Sequence, residues 1–181
     1  KDSGYPGMKV LEFAFDPREE SDYLPHGYDR NSVVYTGTHD NETLVQWYKG
    51  LDKESKAFAE EYMNNAATPE AERYWDFVRM AMMSTSNTCI TPLQDFLGLD
   101  KESRINTPST LGGNWEWRMD ADMLSQADIE KIYRLTRISS RLSDFGKEKE
   151  WKKAQEAAEK KAAQEKKKAE RAAKRKAAAG K

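Results

Sequence analysis

Asn31-Ser32-Val33-Val34-Tyr35-Thr36-Gly37-Thr38-His39-Asp40-Asn41-Glu42-Thr43 decides how this chain folds. Ser32 to Gly37 is short and rich in β-branched residues, the signature of a strand. It runs directly into Thr38-His39-Asp40-Asn41, and a helix is predicted from about Glu42, with Leu44, Trp47, Tyr48 and Leu51 at helical spacing. A strand that enters a helix through a polar turn is a βα unit. Upstream, Met8 to Phe15 is an apolar run after a Pro-Gly turn and reads as a buried strand. Residues 16–31 read as loop. Downstream, a polar connection leads to a helix starting at Pro69-Glu70, with Trp75, Val78 and Met82 as its apolar positions. Thr88 to Leu93 is the third strand. Residues 103–118 form a Gly/Pro/Asn-rich loop holding Trp115 and Trp117. An amphipathic helix over Ala127–Leu142 follows, with Ile129, Ile132, Leu135 and Ile138 on one stripe.

Strands alternating with helices indicate an α/β fold with a parallel sheet. Three strands do not close a sheet. A complete (β/α)8 barrel takes about 250 residues, more than the 146 residues ahead of Lys147, and the chain starts at Lys1 without a methionine. The expectation is part of a larger fold. Two regions are expected: a globular body over 1–146 and a charged tail over 147–181. From Lys147 onward there are 14 Lys/Arg against 6 Asp/Glu, which leaves 16 basic and 25 acidic side chains in the body. The tail, made of Lys, Ala, Glu, Gln and Arg, favours helix and has almost nothing to bury. Pairs such as Glu148/Lys152 and Glu156/Lys160 support it locally. The plain reading is a solvated, fraying helix; the sharper one is an arm for an acidic partner.

Composition narrows the function classes. No apolar run approaches the roughly 20 residues of a membrane span, and the first residues carry no signal-peptide pattern. Cys89, the single cysteine, excludes an internal disulfide and a multi-cysteine metal site and is compatible with a reducing cytoplasm. An acidic body does not suit nucleic acid, and no Gly-rich phosphate cradle is present. A neutral or small substrate fits better. Met80, Met82 and Met83 read as helix packing, Cys89 as apolar filler, and His26 as a structural loop residue. Trp115 and Trp117 either stack on a sugar or bury in the core.

Thr38-His39-Asp40-Asn41 sits at the C-terminal end of a predicted strand, the face on which barrel enzymes carry their active sites. A fixed carboxylate there stabilises the oxocarbenium-like transition state of glycosyl transfer, and an imidazole beside it holds a sugar hydroxyl. These four residues alone leave a second reading open, with Asp40 or Asn41 capping the next helix.

The wider sequence resembles the C-terminal part of the 4-α-glucanotransferases of the amylomaltase type. Gly4-Tyr5-Pro6-Gly7-Met8-Lys9-Val10-Leu11-Glu12-Phe13-Ala14-Phe15 is similar to the segment leading into barrel strand six. Asn31 to Thr43 resembles strand seven, and Pro92-Leu93-Gln94-Asp95-Phe96-Leu97-Gly98-Leu99 strand eight and its exit. Arg104-Ile105-Asn106-Thr107-Pro108 and Gly113-Asn114-Trp115-Glu116-Trp117-Arg118 resemble the closing loop. The motifs stand in the family's order across roughly residues 4–142. The resemblance implies strands six to eight of a (β/α)8 barrel. It implies retaining transfer of 1,4-α-glucan segments to another maltooligosaccharide or to glucose, without a cofactor or metal. It places the assisting catalytic carboxylate at Asp40, and substrate contacts at His39, Phe13 on the acceptor side, and Asn106. The family's nucleophile and acid/base, after strands four and five, are expected upstream of Lys1. Ser109 departs from the glycine usual after Asn-x-Pro. The competing class is a noncatalytic interaction protein in which a barrel remnant carries the basic tail; a plain hydrolase is a third.

Overall fold

A computed structural model describes residues 4–179 of the protein. It divides into two compact units, one through Ser139 and one from Ser140 onward. The first unit is built on three parallel strands, β1 (Gly7–Val10), β2 (Ser32–Tyr35) and β3 (Thr88–Ile90), in spatial order β1-β2-β3. Val10 pairs with Tyr35, and Tyr35 with Ile90. Between β2 and β3 lie three helices, α1 (Leu44–Gly50), α2 (Lys53–Met63) and α3 (Arg73–Met83). After β3 come the short α4 (Leu93–Leu97) and α5 (Gln126–Ile138).

The apolar run Met8–Phe15 is a strand only as far as Val10; Leu11–Phe13 turns as a single 3-10 turn, and Ala14 N–H closes it on the Leu11 carbonyl at 3.0 Å. Leu11, Ala14 and Phe15 are all buried. A continuous apolar run reports burial without reporting period, so the strand's end was not legible in it. The third strand likewise stops at Ile90, because Pro92 stands at the N-cap of α4. The first helix starts at Leu44, and its cap is Thr43, whose hydroxyl accepts from Gln46 N–H at 3.3 Å. Asp40 and Asn41 are therefore not its caps. The polar connection after Leu51 contains all of α2, opened by Asp52, whose carboxylate accepts from Ser55 N–H at 2.8 Å. Phe58 and Tyr62, four apart, were its apolar signal. Helix α4 ends at Gly98, where φ is +63° and a Cβ would lie 2.5 Å from the Tyr74 ring, so both backbone and space demand glycine. Helix α5 opens with a capping box between Ser125 and Asp128. Of its stripe only Leu135 is fully buried; Ile129 and Ile138 are exposed.

The two faces of the sheet differ. Val34 and Cys89 point to the helices; Val34 belongs to the core cluster and Cys89 packs against it. Met8, Tyr35 and Ile90 point the other way and line an open cavity, with Met8 and Ile90 exposed. The core itself centres on Phe15 and Phe77, whose rings meet edge-on at 5.4 Å. Trp47 and Tyr48 of α1 reach Phe77 at 5.0 and 5.7 Å, and Phe58 and Tyr62 of α2 reach Phe15 at 6.3 and 5.9 Å. Met82 is buried and Met80 packs against the core, while Met83 is exposed. Arg73 is buried and held by the Asn65 and Thr68 carbonyls (2.5 and 2.9 Å), Asp76 (3.1 Å) and Glu60 (3.3 Å). A buried guanidinium without such partners would be strongly destabilising.

In the second unit α6 (Asp144–Ala179) is one long helix, and Glu148 and Lys152 form the ion pair expected from their spacing, at 2.7 Å. Among the described residues no helix is long and apolar enough to cross a membrane. Truncating the core ring, Phe77→Ala, is expected to cost about 3–5 kcal/mol and to lower the melting temperature by about 10 °C, measured by circular dichroism. A loss below about 1 kcal/mol would show that Phe77 is not a centre of the core.

Candidate active site

Thr36 and Gly37 follow β2, and the chain then makes a tight turn over Thr38–Asn41, with Asn41 N–H donating to the Thr38 carbonyl at 3.2 Å. The Asn41 amide oxygen accepts from both the Thr38 backbone N–H (2.9 Å) and its hydroxyl (2.7 Å). This explains why Asn41 does not cap α1: its side chain is spent inside the turn. His39 and Asp40 form the turn's tip, each with its side chain about half exposed (55% and 52%). The His39 Nε2 stands 3.4 Å from the Asp40 carboxylate.

A second segment closes on this tip from far along the chain. Asn106 Nδ2 donates to Asp40 Oδ1 at 2.7 Å. Arg104 donates from Nη2 to the Asp40 carbonyl at 2.9 Å and from Nε to the Asn106 carbonyl at 3.0 Å, and its Nη1 stands 3.4 Å from Glu42. One guanidinium thus holds the turn, the following residue and the closing loop together. The loop beyond is laced by Thr107, Thr110 and Asn114, and Trp115 N–H donates to the Ile105 carbonyl at 2.7 Å. The Trp115 ring lies against His39, centroids 5.1 Å apart, and remains 55% exposed. Trp115 is therefore not a core residue; Trp117 is half-buried. Ser109 has φ +63°, a backbone that favours glycine.

Phe13 follows β1 on the same edge of the sheet. It is half exposed, meets Tyr23 edge-on at 5.5 Å, and shares with Asp40 the lining of a cavity of about 360 Å³. Thr38, Asp40 and Asn41 separate it from a larger cavity of about 540 Å³, lined also by His39, Arg104 and the apolar sheet face. The structure thus brings His39 and Asn106 each onto the Asp40 carboxylate and sets Phe13 in the lining of a cavity that Asp40 also lines. His26 lies elsewhere, its ring and backbone N–H on the Tyr62 hydroxyl at 3.1 and 3.2 Å. Cys89 is half-buried against the core. Among the described residues no cluster of His, Cys, Asp or Glu could hold a metal ion.

Two buried acids below the turn were not singled out in the sequence. Asp95 in α4 accepts from the Thr36 hydroxyl at 2.5 Å and from Leu44 N–H at 2.9 Å. Burial pushes its carboxyl up to about 6, against the lowering effect of those two bonds. Glu12 lies beside it under Gly37. The sign that could have found them is an acid inside an apolar strand or helix: Glu12 between Leu11 and Phe13, Asp95 between Leu93 and Phe96.

The comparisons with known proteins agree. A family profile described as 4-alpha-glucanotransferase matches residues 1–125. A 4-alpha-glucanotransferase of Clostridium butyricum is 46% identical over 142 residues, 78% of this chain and 29% of the relative. The chloroplastic/amyloplastic 4-alpha-glucanotransferase of Arabidopsis thaliana is 45% identical over 119 residues, 66% of this chain and 20% of its own length. An amylomaltase from Streptococcus agalactiae, solved in complex with acarbose, superposes with a TM-score of 0.72 at 38% identity, covering 78% of this chain and 28% of that one. The chain therefore spans less than a third of the length of these relatives.

The buried position of Asp95 has a measurable consequence. Its folded-state value of about 6 exceeds the unfolded value near 3.8, so its contribution to stability falls as pH rises from about 4 to about 6 and is constant above. The melting temperature of the protein relative to its Asp95→Asn variant is expected to be highest near pH 4 and to decline to a plateau by about pH 7. A difference that grows with pH would show that the two bonds outweigh burial. From the matched segments, their order and the superposition, the chain belongs to the 4-alpha-glucanotransferase family.

Proposed function

We propose that this chain supplies the acceptor-side and transition-state half of an active site that transfers 1,4-α-glucan segments between maltooligosaccharides, with glucose as a further acceptor. The observation that carries the proposal is the contact set at the end of β2. His39 and Asn106 meet the Asp40 carboxylate at 3.4 and 2.7 Å, and Asp40 shares with Phe13 the lining of a cavity. Such a cluster is suited to a sugar. The carboxylate faces charge that develops on the ring, the imidazole and amide take hydroxyls, and the exposed phenyl face packs on the apolar side of a pyranose.

In this reading the three parallel strands are strands six to eight of a (β/α)8 barrel. The sheet supports it by its asymmetry. One face is covered by helices, while the other carries Met8, Tyr35 and Ile90 into the open cavity. Parallel sheets are buried on both faces, so an apolar uncovered face fits the inside of a barrel whose remaining strands stand opposite. The body over 1–146 then belongs to the catalytic barrel, and the tail over 147–181 stands outside it. The reaction is retaining, and its nucleophile and acid/base, about 5–5.5 Å apart across the scissile bond, come from that opposite part. Carboxylate chemistry of this kind calls for no cofactor, and the enzyme works on soluble glucans in the cytoplasm.

Asp40→Asn in the intact protein is expected to lower kcat by about 100-fold or more while changing KM by less than about threefold. Steady-state transfer kinetics on maltotriose check it, and a loss confined to KM would make Asp40 a binding residue. Residues 1–181 alone are expected to form no glucose and no longer maltodextrins from maltotriose, since Asp40 is the one family carboxylate they match. Product at a rate near that of a complete relative would overturn the division of the site.

A further inference from the structure

The charged tail is the feature that this chemistry leaves unused. Helix α6 runs unbroken over Asp144–Ala179, and positions seven apart in an α-helix lie nearly in line along its axis. Lys153, Lys160 and Lys167 stand seven apart, as do Lys161 and Lys168, and all five are exposed. The sequence continues the spacing with Lys174 and Arg175. From 160 to 175 the positions that share this side of a helix are 160, 161, 164, 167, 168, 171, 174 and 175. They hold Lys, Lys, Gln, Lys, Lys, Arg, Lys and Arg: seven cations, one neutral amide and no acid. The remaining positions of that stretch hold Ala, Lys166, Glu165 and Glu170. The charge of the tail is thus sorted onto one side of the helix, which its composition alone does not require.

We propose that this stripe is a docking surface for the phosphate backbone of duplex nucleic acid, bound for charge and not for sequence. From Lys160 to Arg175 its seven cations occupy about 22 Å of helix axis, close to one per ~3 Å. One strand of a duplex carries a phosphate about every 3.4 Å of axis, so the two charge densities match. A basic stripe along a helix is the electrostatic footprint of such a partner. Other anionic partners fit it less well. A helix lying on a bilayer holds it through Trp, Phe and Leu on its second face. A helix docked in a protein groove is anchored by aromatic or aliphatic side chains. From Lys152 to Lys181 the sequence has none of these, and Ala is its only apolar residue. The body argues against nucleic acid by its acidity, and the tail carries the opposite charge, with 14 Lys/Arg against 6 Asp/Glu from Lys147 onward.

The test is fluorescence anisotropy of a labelled DNA duplex of arbitrary sequence, longer than the stripe, titrated with the intact protein at several salt concentrations. A Kd of about 1–100 µM is expected at about 0.15 M salt, with log K falling against log salt at a slope of about −4 to −6. Changing Lys160, Lys161, Lys167 and Lys168 together to Gln is expected to weaken binding about 10- to 100-fold and to flatten the slope by about 3. A control variant removes the same charge from other sides of the helix, with Lys147, Lys152, Lys166 and Lys176 changed to Gln, and is expected to lose less than about threefold. Gln and Lys are close in helix propensity, and circular dichroism checks that both variants keep the helix. Changing the four stripe lysines to Arg keeps the charge and is expected to hold the affinity within about twofold. Equal losses in the two Gln variants would show that net charge acts and the stripe does not. Competition by polyglutamate as effective as by duplex, or equal binding to phosphatidylserine vesicles, would overturn the assignment to nucleic acid. Should the stripe variant lose its helix, the Arg variant and the unaltered protein decide. A loss on changing to Arg, a salt slope shallower than about −2, or no binding at about 0.05 M salt would leave the tail a solvated helix and overturn the proposal.

Discussion

A single buried carboxylate, Asp95, joins the three elements on which the site depends. It sits in α4 and receives the Thr36 hydroxyl from the end of β2 and the Leu44 N–H from the start of α1. The first N–H groups of a helix have no partner within it, and a buried hydroxyl needs an acceptor. Asp95 satisfies both with one side chain. The Gly37–Thr43 segment is thereby pinned at each end, and what lies between has little freedom in where it puts His39 and Asp40. The neighbouring Gln94 extends the same hold to the closing loop, since its amide donates to the Ser103 carbonyl at 3.2 Å. Arg104 and Asn106, which grip Asp40, begin one residue later.

Such a foundation concentrates negative charge. Asp95 and Glu42 act on Glu12 with like charge, and Arg104, 3.4 Å from Glu42, opposes them. Arg104 is largely covered, and its fork is divided between backbone carbonyls and a carboxylate. Guanidinium suits this place because it donates in several fixed directions from one plane. Lysine would supply the charge without the geometry. Two responses to crowding are visible. Arg104 compensates part of the charge, and burial drives the deepest acids toward their neutral forms.

Much of this arrangement was legible in the sequence, and the limits have physical causes. The β-branched run ending in Thr38-His39-Asp40-Asn41 located β2 and the turn, because strand propensity and polar interruption coincide there. Phe13, His39, Asp40 and Asn106 were proposed from resemblance; Asn106 and His39 both reach Asp40 in the fold, and no periodicity would have linked Asp40 to a residue as distant as Asn106. The end of β1 was misplaced because Leu11, Ala14 and Phe15 are as apolar in a turn as in a strand. Helix α2 was missed because its surface is charged and only Ser55 and Ala59 are fully buried in it. The foundation was missed for another reason. Glu12 and Asp95 look like ordinary acids until the fold shows that neither reaches water.

The division between exposed and buried acids is an argument about roles. Asp40 keeps half its side chain open to the cavities, where a ligand can displace solvent from it. Glu12 and Asp95 are almost wholly buried; Asp95 accepts from Thr36 and Leu44, and Glu12 lies against Gly37. An acid that must meet changing charge belongs at a surface that can be dried on demand. An acid that must hold a turn belongs where water cannot compete for its partners. The same residue type therefore stands in opposite surroundings on the two sides of the turn, open at Asp40 and buried at Glu12 and Asp95. Gly37 has no side chain, so the turn lies close over Glu12; a Cβ there would stand 2.7 Å from Glu12 Oε1, and either the carboxyl or the turn would have to shift.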